Sequence, residues 1–265
     1  MKKIIYLSVI FALLSCKDTV VTGFQDKPVV ESYLYADFTP TVKVSKLIAF
    51  TSDMVYSSED VNKLAVDIME VSTGKKYSLT STGDGLYGNK DLIIAAGKTY
   101  QLSFPYNGTV ITATTVVPQK PMNMKLSATN IAISEMGVPG SGGTSGWPSP
   151  IDISWTNNDQ SYYFIYVKNV DAVKTPIDTR SPTGNDFFRN QPINADHYEL
   201  NPRSFKFYGL HRVILYRIQP EYVLFFQENS GSSLSISEIK ANIENGLGIF
   251  TGINSESIYL YVGKP

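Results

Sequence analysis

Thiol and imidazole are nearly missing from this sequence: 265 residues carry one cysteine, Cys16, and two histidines, His197 and His211. A single thiol excludes an intramolecular disulfide and any zinc site built from several thiolates, and two histidines leave little for a histidine-based metal centre. No metal site and no cofactor are expected. Charge is also scarce. Charged residues make up 18% of the chain and the net charge is −1, so there is no basic surplus to neutralise phosphates, and nucleic acid is not an expected partner. No apolar run reaches the roughly 20 residues that span a bilayer. What is abundant is apolar and aromatic material, 43% and 12% of the residues, enough for a folded core.

The N-terminus reads Met1-Lys2-Lys3, then an apolar run from Ile4 to Leu14, then Ser15-Cys16. A run of about half a membrane span behind a short basic start is the pattern of an export signal rather than of a transmembrane helix. Leu13-Leu14-Ser15-Cys16 resembles the bacterial lipobox, with an aliphatic residue three before the lipid-accepting cysteine and a small residue directly before it. Cys16 is therefore the expected lipidation site, residues 1–15 the signal peptide and 16–27 a lipid-anchored tether. Each buried acyl methylene contributes roughly 0.8 kcal/mol, so a multiply acylated cysteine anchors the chain where a single acyl chain would be marginal. The polar stretch from Lys17 to Lys27 spans up to about 35 Å when extended.

From Pro28 to Pro118 short apolar runs alternate with turn signals, the pattern of an all-β sandwich. Val29 to Tyr35, Thr41 to Phe50, Leu64 to Val71 and Lys76 to Ser81 read as strands, the last two forming a hairpin across Ser72-Thr73-Gly74. Asn107-Gly108, between Thr99 to Pro105 and Thr109 to Val117, is the strongest local hairpin signal, because both residues accept the positive φ of a type I′ turn. Pro118 and Pro121 bracket a break in any ladder, which places a domain boundary there. Asn123 to Ser134, Ile151 to Thr156, Ser161 to Val170, Phe205 to Ile218, Tyr222 to Gln227 and Ser257 to Val262 read as further strands. Gly137 to Pro150 and Asp171 to Pro202 read as loops, and Ile236, Ile239 and Ile243 recur at helical spacing between Ser235 and Glu244. The expected fold class is all-β. It comprises two β-sandwich domains, 28–118 and 119–265, immunoglobulin- or fibronectin-like or else transthyretin-like, with one short helix near the C-terminus.

Catalytic motifs fail on spacing. Gly97-Lys98-Thr99 lacks the glycine a phosphate loop needs at position 92, which is Leu92, and Gly246-Leu247-Gly248 meets Thr251 where a dinucleotide fingerprint needs its third glycine. No GxSxG elbow occurs. Asp196-His197 is the one carboxylate beside a histidine, and a hydrolase would need a nucleophile from elsewhere; the expected place of His197 is a surface loop, and that of His211 a packed or edge position. Catalytic residues are therefore none. Most of the 17 tyrosines, including Tyr162, Tyr163, Tyr166, Tyr259 and Tyr261, are expected to fill or flank the sheets. Phe187-Phe188-Arg189 stands apart as an aromatic pair within a loop, and is the expected ligand or partner contact.

Several segments resemble one group of lipoproteins. Besides the lipobox they are Val29-Val30-Glu31-Ser32-Tyr33-Leu34, Gly85-Leu86-Tyr87, Gly97-Lys98-Thr99-Tyr100, Val117-Pro118 with Pro121, and Asn242-Ile243-Glu244-Asn245-Gly246-Leu247-Gly248-Ile249-Phe250. In this order they look like the Bacteroidetes lipoproteins of the domain-of-unknown-function 4249 family. The resemblance implies an outer-membrane lipoprotein, facing the cell exterior, whose partner is a TonB-dependent transporter. It supplies no catalytic residues. The function expected is therefore non-enzymatic, accessory or ligand-binding. The alternatives are a surface glycan hydrolase using a carboxylate pair contributed by loops, and an adhesin or structural surface module.

Overall fold

The structure, a computed structural model, describes residues 26–47, 58–136, 147–230 and 242–265. Cys16, most of the tether and the expected helical stretch 235–241 lie outside them. Among the described residues the fold is all-β with one α-helix.

The first half runs through β1 (Pro28–Tyr35), β2 (Thr41–Lys46), β3 (Asp67–Glu70), β4 (Lys75–Ser78), β5 (Thr80–Gly83), β6 (Leu86–Gly88), β7 (Thr99–Tyr106) and β8 (Thr109–Val116). Alternation decides which side chains go inward. On β1, Val30 and Leu34 are fully buried while Glu31 and Tyr35 face out. Tyr100, Leu102, Phe104 and Tyr106 do the same on β7 and meet Val42, Val44 and Tyr87 from the other sheet in one core. Asn107 and Gly108 both take positive φ, 47° and 77°, and Tyr106 pairs with Thr109, so the expected two-residue hairpin is present. The Leu64–Val71 hairpin is also present, shortened to β3 and β4.

The second half comprises β9 (Met122–Leu126), β10 (Asn130–Ala132), β11 (Ile151–Thr156), β12 (Tyr162–Asn169), β13 (Thr175–Pro176), β14 (Phe187–Arg189), β15 (His197–Leu200), β16 (Phe207–Ile218), α1 (Pro220–Ser230), β17 (Ile243–Glu244) and β18 (Leu247–Gly263). A small sheet, β15-β11-β9, covers the inner face of β12, β16 and the end of β18. Trp155 packs there against Tyr163 with ring centroids 5.3 Å apart, and Ile153, Ile165, Val213 and Leu215 are fully or almost fully buried around them.

Three expectations need correction. Tyr222 to Gln227 is part of helix α1, not a strand, and Ile243 belongs to a strand paired with Ala113 of β8, not to a helix. Pro220 and Glu221 open α1, where proline lacks no needed donor and a carboxylate faces the helix's positive end. The stretch from Asp171 to Pro202, expected as a loop, carries three short strands.

The 17-residue strand β18 joins the halves. Leu247 to Ile253 pairs in parallel with β1, and Ile253 to Val262 pairs antiparallel with β16. At about 3.3 Å per residue it runs for roughly 55 Å. Its first part places Phe250, and the preceding β17 places Ile243, in the core otherwise built from residues 30–117. The C-terminal segment thus completes the N-terminal half. Gly248 permits this approach: its φ is +99°, and a Cβ there would lie 2.0 Å from the carbonyl oxygen of Val30.

Candidate functional site

The outer face of the long sheet should be polar if it met only water. Instead, positions alternating with the core on four strands carry rings: Tyr33 and Tyr35 on β1, Tyr216 on β16, Phe164 and Tyr166 on β12, and Phe187 on β14. Helix α1 lies across the middle of this face. Phe164 stacks on Tyr216 at 4.7 Å and on Tyr222 of the helix at 5.5 Å, with interplanar angles of 20° and 10°. Tyr33 meets Tyr222, and Tyr35 meets Tyr216, edge to face at 6.2 and 6.5 Å. Such pairs each contribute about 0.5–1.5 kcal/mol beyond area burial.

Polar contacts fix the helix. The Glu221 carboxylate accepts from the Thr115 hydroxyl at 2.6 Å and from the Thr251 hydroxyl at 3.2 Å, while Thr115 Oγ1 accepts the Gly252 N–H at 2.9 Å. Burial disfavours the phenolate form of every ring in the cluster that shifts. It pushes Tyr216 and Tyr222 upward and, reinforced by Tyr216 and Tyr222, pushes Tyr35 up to about 12. Tyr33 moves still higher, with Glu31 adding to desolvation.

The expected contact residues fall beside this cluster, and not in a loop. Phe187, Phe188 and Arg189 form an edge strand, and alternation divides them. Phe187 stacks on Tyr166 at 5.5 Å and remains 45% exposed, Arg189 lies 5.2 Å over the ring of Phe226 on α1, and Phe188 turns inward against Tyr198. Sequence adjacency alone joins Phe188 to the other two.

A groove of about 300 Å³ lies where the halves meet, lined by Tyr35, Asp37, Phe38, Lys120, Arg212 and the 253–257 stretch of β18. Lys120 pairs with Glu256 at 2.7 Å, and Arg212 Nε donates to the Ser257 hydroxyl at 3.1 Å. Sequence reading does not find this site, because its parts come from four separated segments. The available signal is Tyr33 and Tyr35 at the outward positions of a strand whose inward positions are, apart from Ser32, already apolar.

His197 and Asp196 are both exposed and hydrogen-bonded at 3.0 Å, and the carboxylate holds the imidazole pKa above its usual value. His211 is buried against Phe205 with its Nδ1 3.1 Å from the Gly209 carbonyl, and burial pushes its pKa down. Among the described residues, no group of three His, Cys, Asp or Glu side chains is placed to hold a metal ion, and no helix is long and apolar enough to cross a membrane.

The segments that carried the resemblance turn out to hold the fold together. The Tyr87 hydroxyl accepts the Leu64 N–H at 2.9 Å, the Tyr100 hydroxyl accepts the Ala95 N–H at 3.0 Å, and the Pro118 carbonyl accepts from Asn254 Nδ2 at 2.9 Å. Asn242 binds Phe250 through both backbone groups.

No curated protein matches the sequence. The crystal structure of DIP-gamma IG1+IG2 aligns at 10% identity over 90% of this chain and 99% of that one, with a TM-score of 0.21. The sequence model described as Domain of unknown function (DUF4249) matches residues 17–258, and the chain belongs to that family.

Proposed function

We propose that this chain is a non-enzymatic, lipid-anchored binding module of the outer membrane, facing the cell exterior and serving as an accessory or ligand-binding partner of a TonB-dependent transporter. The observation that carries the binding part is the ring-bearing outer face of the long sheet, on which Phe187 and Tyr35 remain 45% and 41% exposed. Aromatic rings at such positions are the side chains that anchor interfaces, since they bury large areas at a small entropic cost. Arg189 beside them adds a planar donor able to bind a carboxylate in two-point fashion. The anchoring part rests on the lipobox ending at Cys16.

The test is fractionation followed by mild detergent extraction. The chain should be recovered from the outer membrane together with a TonB-dependent transporter, and Cys16→Ala should shift it out of the membrane fraction. Phe187→Ala should weaken transporter recovery without altering fractionation. Recovery of the chain free of any transporter, with nutrient uptake unchanged on its deletion, overturns the reading.

A further inference from the structure

The groove at the junction has a structural origin. Strand β1 stops pairing with β18 at Tyr35 and Ile253, and the Ala36 N–H makes the last bond to the Ile253 carbonyl. Pairing on that side of β18 resumes only at Tyr261, with Asn130 of β10. Between these points the sheet has a notch: β18 has β16 on one side and no ladder partner among the described residues on the other. Part of the backbone in the notch is already spoken for. The Ser255 N–H donates to Asn254 Oδ1 at 2.8 Å and the Ser257 N–H to Glu256 Oε1 at 2.9 Å. With these two donors capped by neighbouring side chains, and with the Lys120–Glu256 ion pair at the edge, the part of the notch at Ser255 and Ser257 is protected against an added strand. An extended peptide therefore fits it poorly.

Side chains remain for recognition. Tyr35 is 41% and Phe38 68% exposed, and both line the same cavity as Asp37, Arg212, Ser255 and Ser257. The charged residues there, Asp37 and Glu256 against Lys120 and Arg212, cancel. A balanced lining gives no net attraction to phosphate or to a cation. Rings set among alternating donors and acceptors instead suit a molecule with apolar faces and a rim of hydroxyls. The volume of about 300 Å³ lies at the small end of the ~300–1,000 Å³ typical of small-molecule sites. We infer that this notch binds one or two residues of a neutral saccharide, stacked on Tyr35 and Phe38 and hydrogen-bonded by Asp37, Arg212 and the two serines. The inference rests on the binding-module reading above and gives that module its ligand class.

The experiment uses the purified full chain on an array of neutral oligosaccharides of glucose, mannose, galactose and xylose, alongside acidic oligosaccharides and extended peptides. At least one neutral sugar should be retained in preference to the acidic ones. Tyr35→Phe should retain it, whereas Tyr35→Leu and Arg212→Ala should each weaken it by about tenfold or more, as expected for loss of a stacking or charge-assisted contact. Val110→Ala, on a distant exposed strand, should leave it unchanged, and thermal unfolding should show that every variant is folded. Retention of no neutral sugar, preference for acidic sugars or peptides, or neutral-sugar binding insensitive to both Tyr35→Leu and Arg212→Ala overturns the inference. Transporter co-recovery without sugar binding would refute the ligand class and leave the proposed function standing. Sugar binding without a transporter would do the reverse.

Discussion

The side chain of Asn242 grips the backbone of Phe250 in both directions: its Nδ2 donates to the Phe250 carbonyl at 2.6 Å, and its Oδ1 accepts the Phe250 N–H at 3.0 Å. The same Nδ2 reaches the Thr114 carbonyl of β8 at 3.2 Å. One amide thus fastens the start of β18 to the opposite sheet. Asn242→Ala removes the clasp and leaves backbone groups unpaired. The expected loss of stability is about 1–3 kcal/mol, read as a lower urea midpoint with an unchanged slope.

Phe250 itself is fully buried within the N-terminal core, far in sequence from the residues it touches. Phe250→Ala should cost roughly 3–5 kcal/mol through lost burial and the cavity left behind. Hydrogen exchange locates the damage. Protection should fall first in β7 and β8, and if it falls only in β11 and β12 the assignment of this residue to the first half is wrong.

Arg189 opposes the effect of burial on Tyr222, both by charge and by a hydrogen bond, and its guanidinium covers Phe226. Arg189→Ala should therefore raise the already elevated Tyr222 pKa further. Ultraviolet titration of tyrosinate against the wild type measures this as an alkaline shift of one ring. Loss of the cation–π contact on an exposed residue should lower stability by about 0.5–1 kcal/mol.

Stability should fall on the acid side because of His211. Burial pushes its pKa below the ordinary 6.5; the Gly209 carbonyl and Asp171 oppose this, and Lys174 reinforces it. A base with a depressed folded pKa stays neutral when folded and protonates first when unfolded, so its contribution is complete above about pH 6.5 and is lost as pH falls below that. His197 has the opposite sign, its raised pKa favouring the fold below its ordinary value, but it is exposed and screened by solvent. Urea midpoints should decline from about pH 7.5 to about pH 5, and His211→Leu should flatten that decline. An unchanged slope in the variant would exclude His211 as its source.

Local patterns made much of the strand framework readable. Alternation marks β1, β7 and β11, an aromatic run marks β12, and Asn107-Gly108 fixes a hairpin by the φ angles those residues tolerate. Local patterns mislead where tertiary contact overrides them. Tyr222 to Gln227 is rich in aromatic and branched side chains and reads as strand, yet it forms a helix because Tyr222 and Val223 pack on the outer face of the sheet. Ile243 recurs at helical spacing but has a strand partner in Ala113. Phe187, Phe188 and Arg189 are visible as unusual, while their division between two faces depends on pairing with β12. The groove is illegible for a deeper reason. It needs the parallel pairing of β1 with β18, and parallel partners can lie anywhere along a chain, with no turn to announce them.

That parallel pairing also decides how the molecule bears a load. Just before β1 the Asp26 carboxylate is held by Tyr106 and Asn107, and β1 and β18 then run side by side toward the second half. Tension between residue 26 and a partner gripping the second half would pull the two strands along their length in opposite senses. All the pairings from Val29–Leu247 to Tyr35–Ile253 would then resist together in shear, rather than opening one after another as in a peeled hairpin. Such an arrangement makes forced unfolding slow, since that process is set by the unfolding rate. Under such a pull β18 would carry the load from the first half to the second as well as joining them.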